Sequence, residues 1–181
     1  MRLRTRIILA VLMFIAGIGV GIAMQPGHFR VTRSATIAAP PALVFAQVND
    51  FHKWEAWSPW VKIDPAAEVS YGGPEAGVGA VFRWSGNKEV GAGNMTIMES
   101  SPGERIAIAL VFTKPFEATS QAEFTFRAQG DLTQVDWTMT GNNNFIGKVI
   151  SFFLDCDEVV GSQFEKGLAE MKTVAEAAAR Q

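Results

Sequence analysis

The chain has 181 residues, which is the size of one domain with a short extension. After residue 24 it carries 13 Lys and Arg against 18 Asp and Glu, and this acidic balance argues against a nucleic-acid partner, which requires a basic face. Cys156 is the single cysteine, so the chain has no internal disulfide.

The N-terminus has the pattern of a membrane anchor. Three arginines precede Ile7–Met24, a run without a charge, and a helix needs about 20 apolar residues, or roughly 17 at the least, to span a bilayer. Basic residues before such a run hold the N-terminus in the cytoplasm. We therefore predict a basic cytoplasmic segment at 1–6, a transmembrane signal anchor at 7–24, a linker at 25–28 and one domain at 29–181.

These assignments predict a single-pass membrane protein whose domain lies on the non-cytoplasmic side, the periplasm in a bacterium. The alternative is a cleaved signal peptide, because Gly21-Ile22-Ala23 has the small-x-small pattern of a cleavage site. The apolar run is longer than the usual signal-peptide core of about 7–15 residues, which favours the uncleaved anchor.

The domain begins with a predicted strand at Phe29–Ile37, followed by a Pro-Pro pair that suits the first turn of a helix. The residues after this pair keep the spacing of a helix until Asn49 and Asp50 end the pattern. Residues Phe51–Trp57 form a second predicted short helix, which ends at Ser58-Pro59 because the residue before proline avoids the helical region.

Residues 68–141 consist of short apolar runs separated by Gly, Pro and Asn, which predicts antiparallel strands joined by tight turns. After residue 144 the apolar residues recur every three or four positions. This spacing predicts an amphipathic helix of about 30 residues, with Gly147 and Gly161 as candidate points of interruption or bending.

The predicted strands sort their side chains onto two faces, because successive residues of a strand point in opposite directions. One face is apolar and aromatic, and the other carries the charges. A sheet of this kind must bury its apolar face, here against the long helix. The apolar face is either a filled core or the lining of a cavity, since apolar clefts with few polar groups are the usual sites for small molecules.

The sequence contains no recognisable catalytic or metal-binding motif. His28 and His52 lack a partner at metal-ligand spacing, and Cys156 lies on the apolar stripe of the long helix, where it is expected to be a small buried hydrophobe. We predict no catalytic residue, no metal and no cofactor. A register error of one residue could still turn one of five charged side chains inward: Glu99, Glu117, Glu123, Arg127 and Asp136.

Three segments of the chain resemble the START-like superfamily: "RSATIAAPPALVFAQVNDFHKWEAWSPW", "FTKPFEATSQAEFTF" and "FEKGLAEMK". They are most similar to its SRPBCC branch, whose members are described as polyketide cyclase/dehydrase-like. The resemblance covers Phe29 to about Ala178. It implies the α+β helix-grip fold of the birch-pollen allergen, in which a curved antiparallel sheet wraps around a long C-terminal helix with a hydrophobic cavity between them.

In this fold, the two short helices form a V at one end of the sheet. Trp54, Trp57 and Trp60 are expected there, either as a structural plug of that end or as part of the pocket lining. The predicted ligand pocket comprises fifteen residues in all: Trp54, Trp57, Trp60, Phe82, Trp84, Ile108, Leu110, Phe112, Phe124, Phe126, Trp137, Met139, Phe152, Cys156 and Val160.

Members of the superfamily bind lipids, sterols, polyketides and other apolar molecules, and a minority are enzymes without a shared catalytic residue. The leading hypothesis is therefore a membrane-anchored, non-catalytic domain that holds a hydrophobic small molecule. The alternatives are a cyclase or isomerase acting on a polyketide-like or steroid-like substrate, and an interaction module whose cavity is filled by its own side chains.

Overall fold

The computed structural model describes residues 3–143, 145–153 and 155–181. Within these ranges the chain forms a seven-stranded sheet, five α-helices and one 3-10 helix. The elements follow in the order α1 (Leu3–Ala23), β1 (His28–Ile37), α2 (Pro41–Asn49), the 3-10 helix (Phe51–Ala56), α3 (Pro59–Ile63), β2 (Glu68–Gly72), β3 (Val81–Ser85), β4 (Ala92–Ser101), β5 (Arg105–Lys114), β6 (Ala118–Gln129), β7 (Leu132–Asn142), α4 (Phe145–Phe153) and α5 (Cys156–Ala179).

The sheet is antiparallel throughout, with the strand order β1-β7-β6-β5-β4-β3-β2. The register places Phe124 opposite Trp137 and Ile106 opposite Phe124, so the apolar residues of neighbouring strands share one face. We call this the inner face. The predicted antiparallel sheet with one apolar face is confirmed.

Helix α5 provides the second layer of the core. Phe164, Leu168, Met171 and Ala175 recur at spacings of three and four, and all four are buried. The helix packs along β1 and against α2, α3 and the 3-10 helix. The helix-grip arrangement of a sheet around a C-terminal helix is therefore confirmed.

The predicted single helix of about 30 residues is instead two helices, α4 and α5. The break falls between Phe153 and Cys156, and neither Gly147 nor Gly161 causes it. Asp155 has an extended backbone and caps α5, because its side chain accepts hydrogen bonds from the backbone N–H groups of Asp157 and Glu158. The acidic residues Asp155, Asp157 and Glu158 thus begin a new helix.

The start of α5 is fixed to β1 by Arg33. Its guanidinium donates to both carboxylate oxygens of Asp157, at 3.1 and 2.9 Å, and to Glu165 at 2.7 Å. Gly161 allows this contact, since a Cβ there would lie 2.1 Å from the Arg33 Nη2 atom. The hydrogen bonds that Arg33 donates to Asp157 and Glu165 raise the pKa of Arg33, and the hydrogen bond from Arg33 lowers the pKa of Asp157.

None of the helices in the part of the chain that the structure describes is long and apolar enough to cross a membrane. The predicted single-pass membrane location is therefore wrong, and α1 replaces the predicted anchor. The charge-free part of α1, from Ile7 to Ala23, measures about 25 Å at 1.5 Å per residue. It therefore lies at the lower limit of roughly 17 residues and is shorter than a hydrocarbon core of about 30 Å.

The C-terminal end of α1 packs on α4. Gly21 lies against the ring of Phe152, which a Cβ on Gly21 would approach to 2.7 Å. The Lys148 Nζ atom donates to the carbonyl of Ala23 at 3.3 Å, and Ile22 is buried. These contacts tie α1 to the domain.

Candidate functional site

The end of the grip between the sheet and α5 is filled by an aromatic cluster around Trp54 and Trp57. Both rings are buried, with centroids 4.6 Å apart. Their indole N–H groups donate to the carbonyls of Val48 and Gln47, each at 3.0 Å. Because these carbonyls belong to α2, the two tryptophans fix α2 to the 3-10 helix that follows it. The two tryptophans lie beside the short helices at one end of the sheet, the location expected for a structural plug.

Trp137 connects this cluster to α5. It is 2% exposed, and its ring stacks on Phe164 with a centroid distance of 3.9 Å and an interplanar angle of 6°. On the sheet it stacks on Phe124 at 4.8 Å, and Trp57 and Trp60 meet it edge-on, each at 5.7 Å. Its buried Nε1 atom has no hydrogen-bond partner among the described residues.

A second, mainly aromatic group lies on the same inner face but farther along the sheet, on strands β3, β4 and β5. Its four members are half-buried and pack against the edge of the buried core: Phe82, Trp84, Met95 and Phe112. Trp84 meets Phe112 edge-on at 5.7 Å and stacks on Phe82 at 6.1 Å. We call these four residues the apolar shelf.

The local backbone holds the Trp84 ring flat on the shelf. Trp84 Nε1 donates to the carbonyl of Val90 at 3.1 Å, across the β3–β4 hairpin. Gly93 lies directly beneath the ring, and a Cβ there would approach it to 2.7 Å. The shelf is therefore preformed, and any larger residue at position 93 would displace the ring.

The remaining predicted pocket residues divide into three groups. Five belong to the buried core: Ile108, Leu110, Phe124, Phe126 and Met139. Val160 of α5 is half-buried and packs against that core. Phe152 lies against α1, outside the grip, and the side chain of Cys156 lies outside the described residues.

Sequence reasoning missed two residues of the inner face, Tyr71 and Met95. Tyr71 lies on the edge strand β2, opposite Phe82, and its ring centroid is 5.6 Å from that of Phe82. The alternation of Val69 and Tyr71 in "EVSYG" is the signal that identifies this face. Met95 lies opposite Leu110 on β4, where the sequence alone left the register open.

The charged residues that a register error could have turned inward all lie on the solvent side. Glu99 and Glu123 pair with Arg105 on the outer face, Arg127 pairs with Asp136, and Glu117 is exposed in the β5–β6 turn. In the part of the chain that the structure describes, no three His, Cys, Asp or Glu side chains come close enough together to hold a metal ion.

Asp136 is the best-connected of these carboxylates. It accepts hydrogen bonds from Ser34 at 2.7 Å, from Gln134 at 3.1 Å and from Arg127 at 2.8 Å. Burial alone raises the pKa of Asp136, but these hydrogen bonds and the charge of Arg127 outweigh it and hold the pKa below its usual range.

Two of the depressions among the described residues are large enough for a small molecule, and neither of these two lies between the sheet and α5. One, of about 620 Å³, crosses the outer face near Arg30, Gln121 and Thr140. The other, of about 330 Å³, lies beside the shelf between the 3-10 helix and β2 and is lined by His52 and Tyr71. Both volumes fall within the usual range for ligand sites, about 300–1,000 Å³.

Residues 28–176 match the family described as "Polyketide cyclase / dehydrase and lipid transport". The chain belongs to this family. The match covers the whole sheet and most of α5, so the resemblance to the SRPBCC branch of the START-like superfamily is confirmed. Curated proteins gave no match.

Solved structures with the same fold are distant in sequence. Protein CV1439 from Chromobacterium violaceum is 16% identical, with a TM-score of 0.59, over 84% of this chain and 99% of that one. Ara h 8.0201 is 11% identical, with a TM-score of 0.57, over 83% and 99%. DynU16, from the dynemicin biosynthetic locus, is 13% identical, with a TM-score of 0.56, over 83% of this chain and 48% of that one. At these identities the likeness shows the fold alone.

Proposed function

We propose that the chain binds a hydrophobic small molecule on the apolar shelf and does not transform it. The observation that carries the proposal is the half-burial of Phe82, Trp84 and Phe112, three large aromatic side chains in contact on the inner face. Large aromatic side chains gain about 25 cal/mol for each Å² of apolar surface removed from water, so a ligand that covers them is stabilised.

The family supports a ligand of this kind, because its description includes both polyketide chemistry and lipid transport. The absence of charged groups from the shelf favours binding over catalysis, since general acid–base chemistry needs a positioned titratable side chain.

The aromatic cluster favours a second candidate, an interaction module with a filled cavity. Trp54, Trp57, Trp137 and Phe164 occupy the space that a ligand inside the grip would need. Such a module would bind no small molecule on the shelf, which makes the two candidates separable by experiment.

The test uses the neutral fluorescent probe N-phenyl-1-naphthylamine and the full chain. Binding should be saturable, and Phe112→Ala should weaken it about tenfold, because about 1.4 kcal/mol of apolar contact is lost. Val111→Ala is the matched control, since Val111 neighbours Phe112 but points to the outer face. Equal affinities for the two variants, or no saturable binding, would favour the interaction module.

A further inference from the structure

A polar site adjoins the apolar shelf at the edge of the sheet. The rings of Trp84, Phe82 and Tyr71 follow one another across β3 and β2, with centroid distances of 6.1 and 5.6 Å. The ring of His52 then stacks on Tyr71 at 3.9 Å and 20°. His52 and Tyr71 line the depression of about 330 Å³, which adjoins the shelf because the ring of Tyr71 contacts that of Phe82.

Asp50 fixes the proton on His52. The Asp50 Oδ1 atom lies 2.9 Å from the His52 Nδ1 atom and also accepts from the backbone N–H of His52 at 2.9 Å. A carboxylate can only accept, so the Nδ1 atom carries the hydrogen and the Nε2 atom of the neutral ring carries the free lone pair. The ring therefore offers a hydrogen-bond acceptor.

Carboxylates lie beside His52 in the depression, whereas a neighbouring cation, the Arg83 guanidinium, lies against Gly72 on the opposite face of β2. Glu75 lines the depression directly, and Asp50 pairs with the ring of His52. Burial raises the pKa of the Tyr71 hydroxyl, and the charges of Glu55 and Asp50 raise it further. An anionic group would be repelled here, whereas a hydroxyl or an ammonium would find acceptors.

The wall of the depression is held in place by the backbone. The N–H of Gly77 donates to the carbonyl of Asn49, and that of Gly79 donates to the carbonyl of Ile97, each at 2.9 Å. Gly73 has a φ of +72°, and a Cβ there would lie 2.2 Å from the carbonyl oxygen of Gly79. The segment between β2 and β3 is thus a fixed wall, built in a conformation that requires glycine.

We propose that the ligand is an amphiphile whose head group donates hydrogen bonds, as a hydroxyl or an ammonium does, and that this head group binds at His52 beside Glu75. The proposal rests on the proposed function, because the apolar body of the amphiphile occupies the shelf. It adds the chemistry of the head group and excludes a carboxylate, and hence an ordinary fatty acid.

The test is competition of 1-decanol, decylamine and decanoate against N-phenyl-1-naphthylamine, each below its micelle concentration. The full chain should bind decanol and decylamine about tenfold more tightly than decanoate. A tenfold difference in affinity is about 1.4 kcal/mol, near the upper end of the net free energy that one hydrogen bond contributes. His52→Phe keeps a ring to stack on Tyr71 but removes the acceptor, so the affinity for decanol should fall toward that for decanoate while the affinity for the probe stays. The repulsion of decanoate and the attraction of decylamine by Glu75 should remain. The side chain of His52 is 49% exposed, so the fold should tolerate the change.

His28→Phe is the matched control, because His28 lies at the start of β1, away from the shelf, and should leave the preference unchanged. Equal binding of the three amphiphiles, or an affinity for decanol that His52→Phe leaves unchanged, would overturn the head-group site while leaving the shelf intact. If none of the three displaces the probe, both proposals fail. A preference for decylamine alone identifies charge attraction to Glu75 as the larger contribution and supports the site.

Discussion

Trp137 is the residue on which the sheet, the aromatic cluster and α5 meet. Its two ring faces are covered by Phe124 and Phe164, and Trp57 and Trp60 cover its edges. A side chain in such surroundings contributes mainly through apolar burial and packing, because its indole N–H has no hydrogen-bond partner among the described residues.

Trp137→Ala should therefore destabilise the domain by about 3–5 kcal/mol, since it leaves a large cavity. Trp137→Phe keeps an aromatic ring between Phe124 and Phe164 and removes the unpaired N–H, so it should cost less than about 1.5 kcal/mol. Chemical denaturation of both variants measures the difference. Similar losses for the two would mean that the indole N–H has a hydrogen-bond partner in solution.

Among the elements, α5 depends on a contact with β1 that begins in its first turn. Arg33 joins Asp157 and Glu165, and Gly161 leaves the space that the guanidinium occupies. The break between α4 and α5 makes this contact necessary, because α5 starts afresh at Asp155 and cannot take its direction from α4.

Gly161→Ala should displace the guanidinium of Arg33 and lower the hydrogen-exchange protection of the first turns of α5. Arg33→Gln should have the same effect by removing the charge. Since both changes break one contact, the double variant should lose little more protection than either single variant. Additive losses would show that Gly161 and Arg33 act on α5 separately.

The outer face joins β1, β6 and β7 through Asp136, whose pKa is lowered in the folded chain. A carboxyl with a lowered folded pKa stabilises the fold above its unfolded pKa, near 4, and this contribution is lost as the pH falls through the folded pKa. Asp136→Asn should cost about 1–3 kcal/mol at pH 7. Thermal unfolding should show this difference shrinking below pH 4, and a constant difference from pH 7 to pH 3 would contradict the assignment.

At the scale of the whole molecule, the sequence predicted the architecture well because period-two alternation identifies the apolar face of each strand. Phe82, Phe124 and Trp137 all lie on the face predicted for them. The resemblance to a known family supplied the helix-grip arrangement, which alternation alone does not specify.

The candidate site was harder to predict, because the same apolar pattern describes a filled core and an open surface. Trp137 and Trp84 look equivalent in the sequence, since each lies on the apolar face of a predicted strand, yet Trp137 is buried and Trp84 is half-buried on the shelf. The difference depends on where α5 crosses the sheet, and no local pattern encodes that crossing. The break before Asp155 was missed for a related reason, since the apolar period continues through it.

The central claim is that ligands bind on the apolar shelf and not inside the aromatic cluster. The chain has five tryptophans, so its indole N–H groups provide five assignable signals in a proton–nitrogen NMR spectrum. Titration with N-phenyl-1-naphthylamine should shift the signal of Trp84 and leave those of Trp54 and Trp57 unchanged, because these two are buried and bonded to α2. Shifts at Trp54 and Trp57 with none at Trp84 would contradict the account.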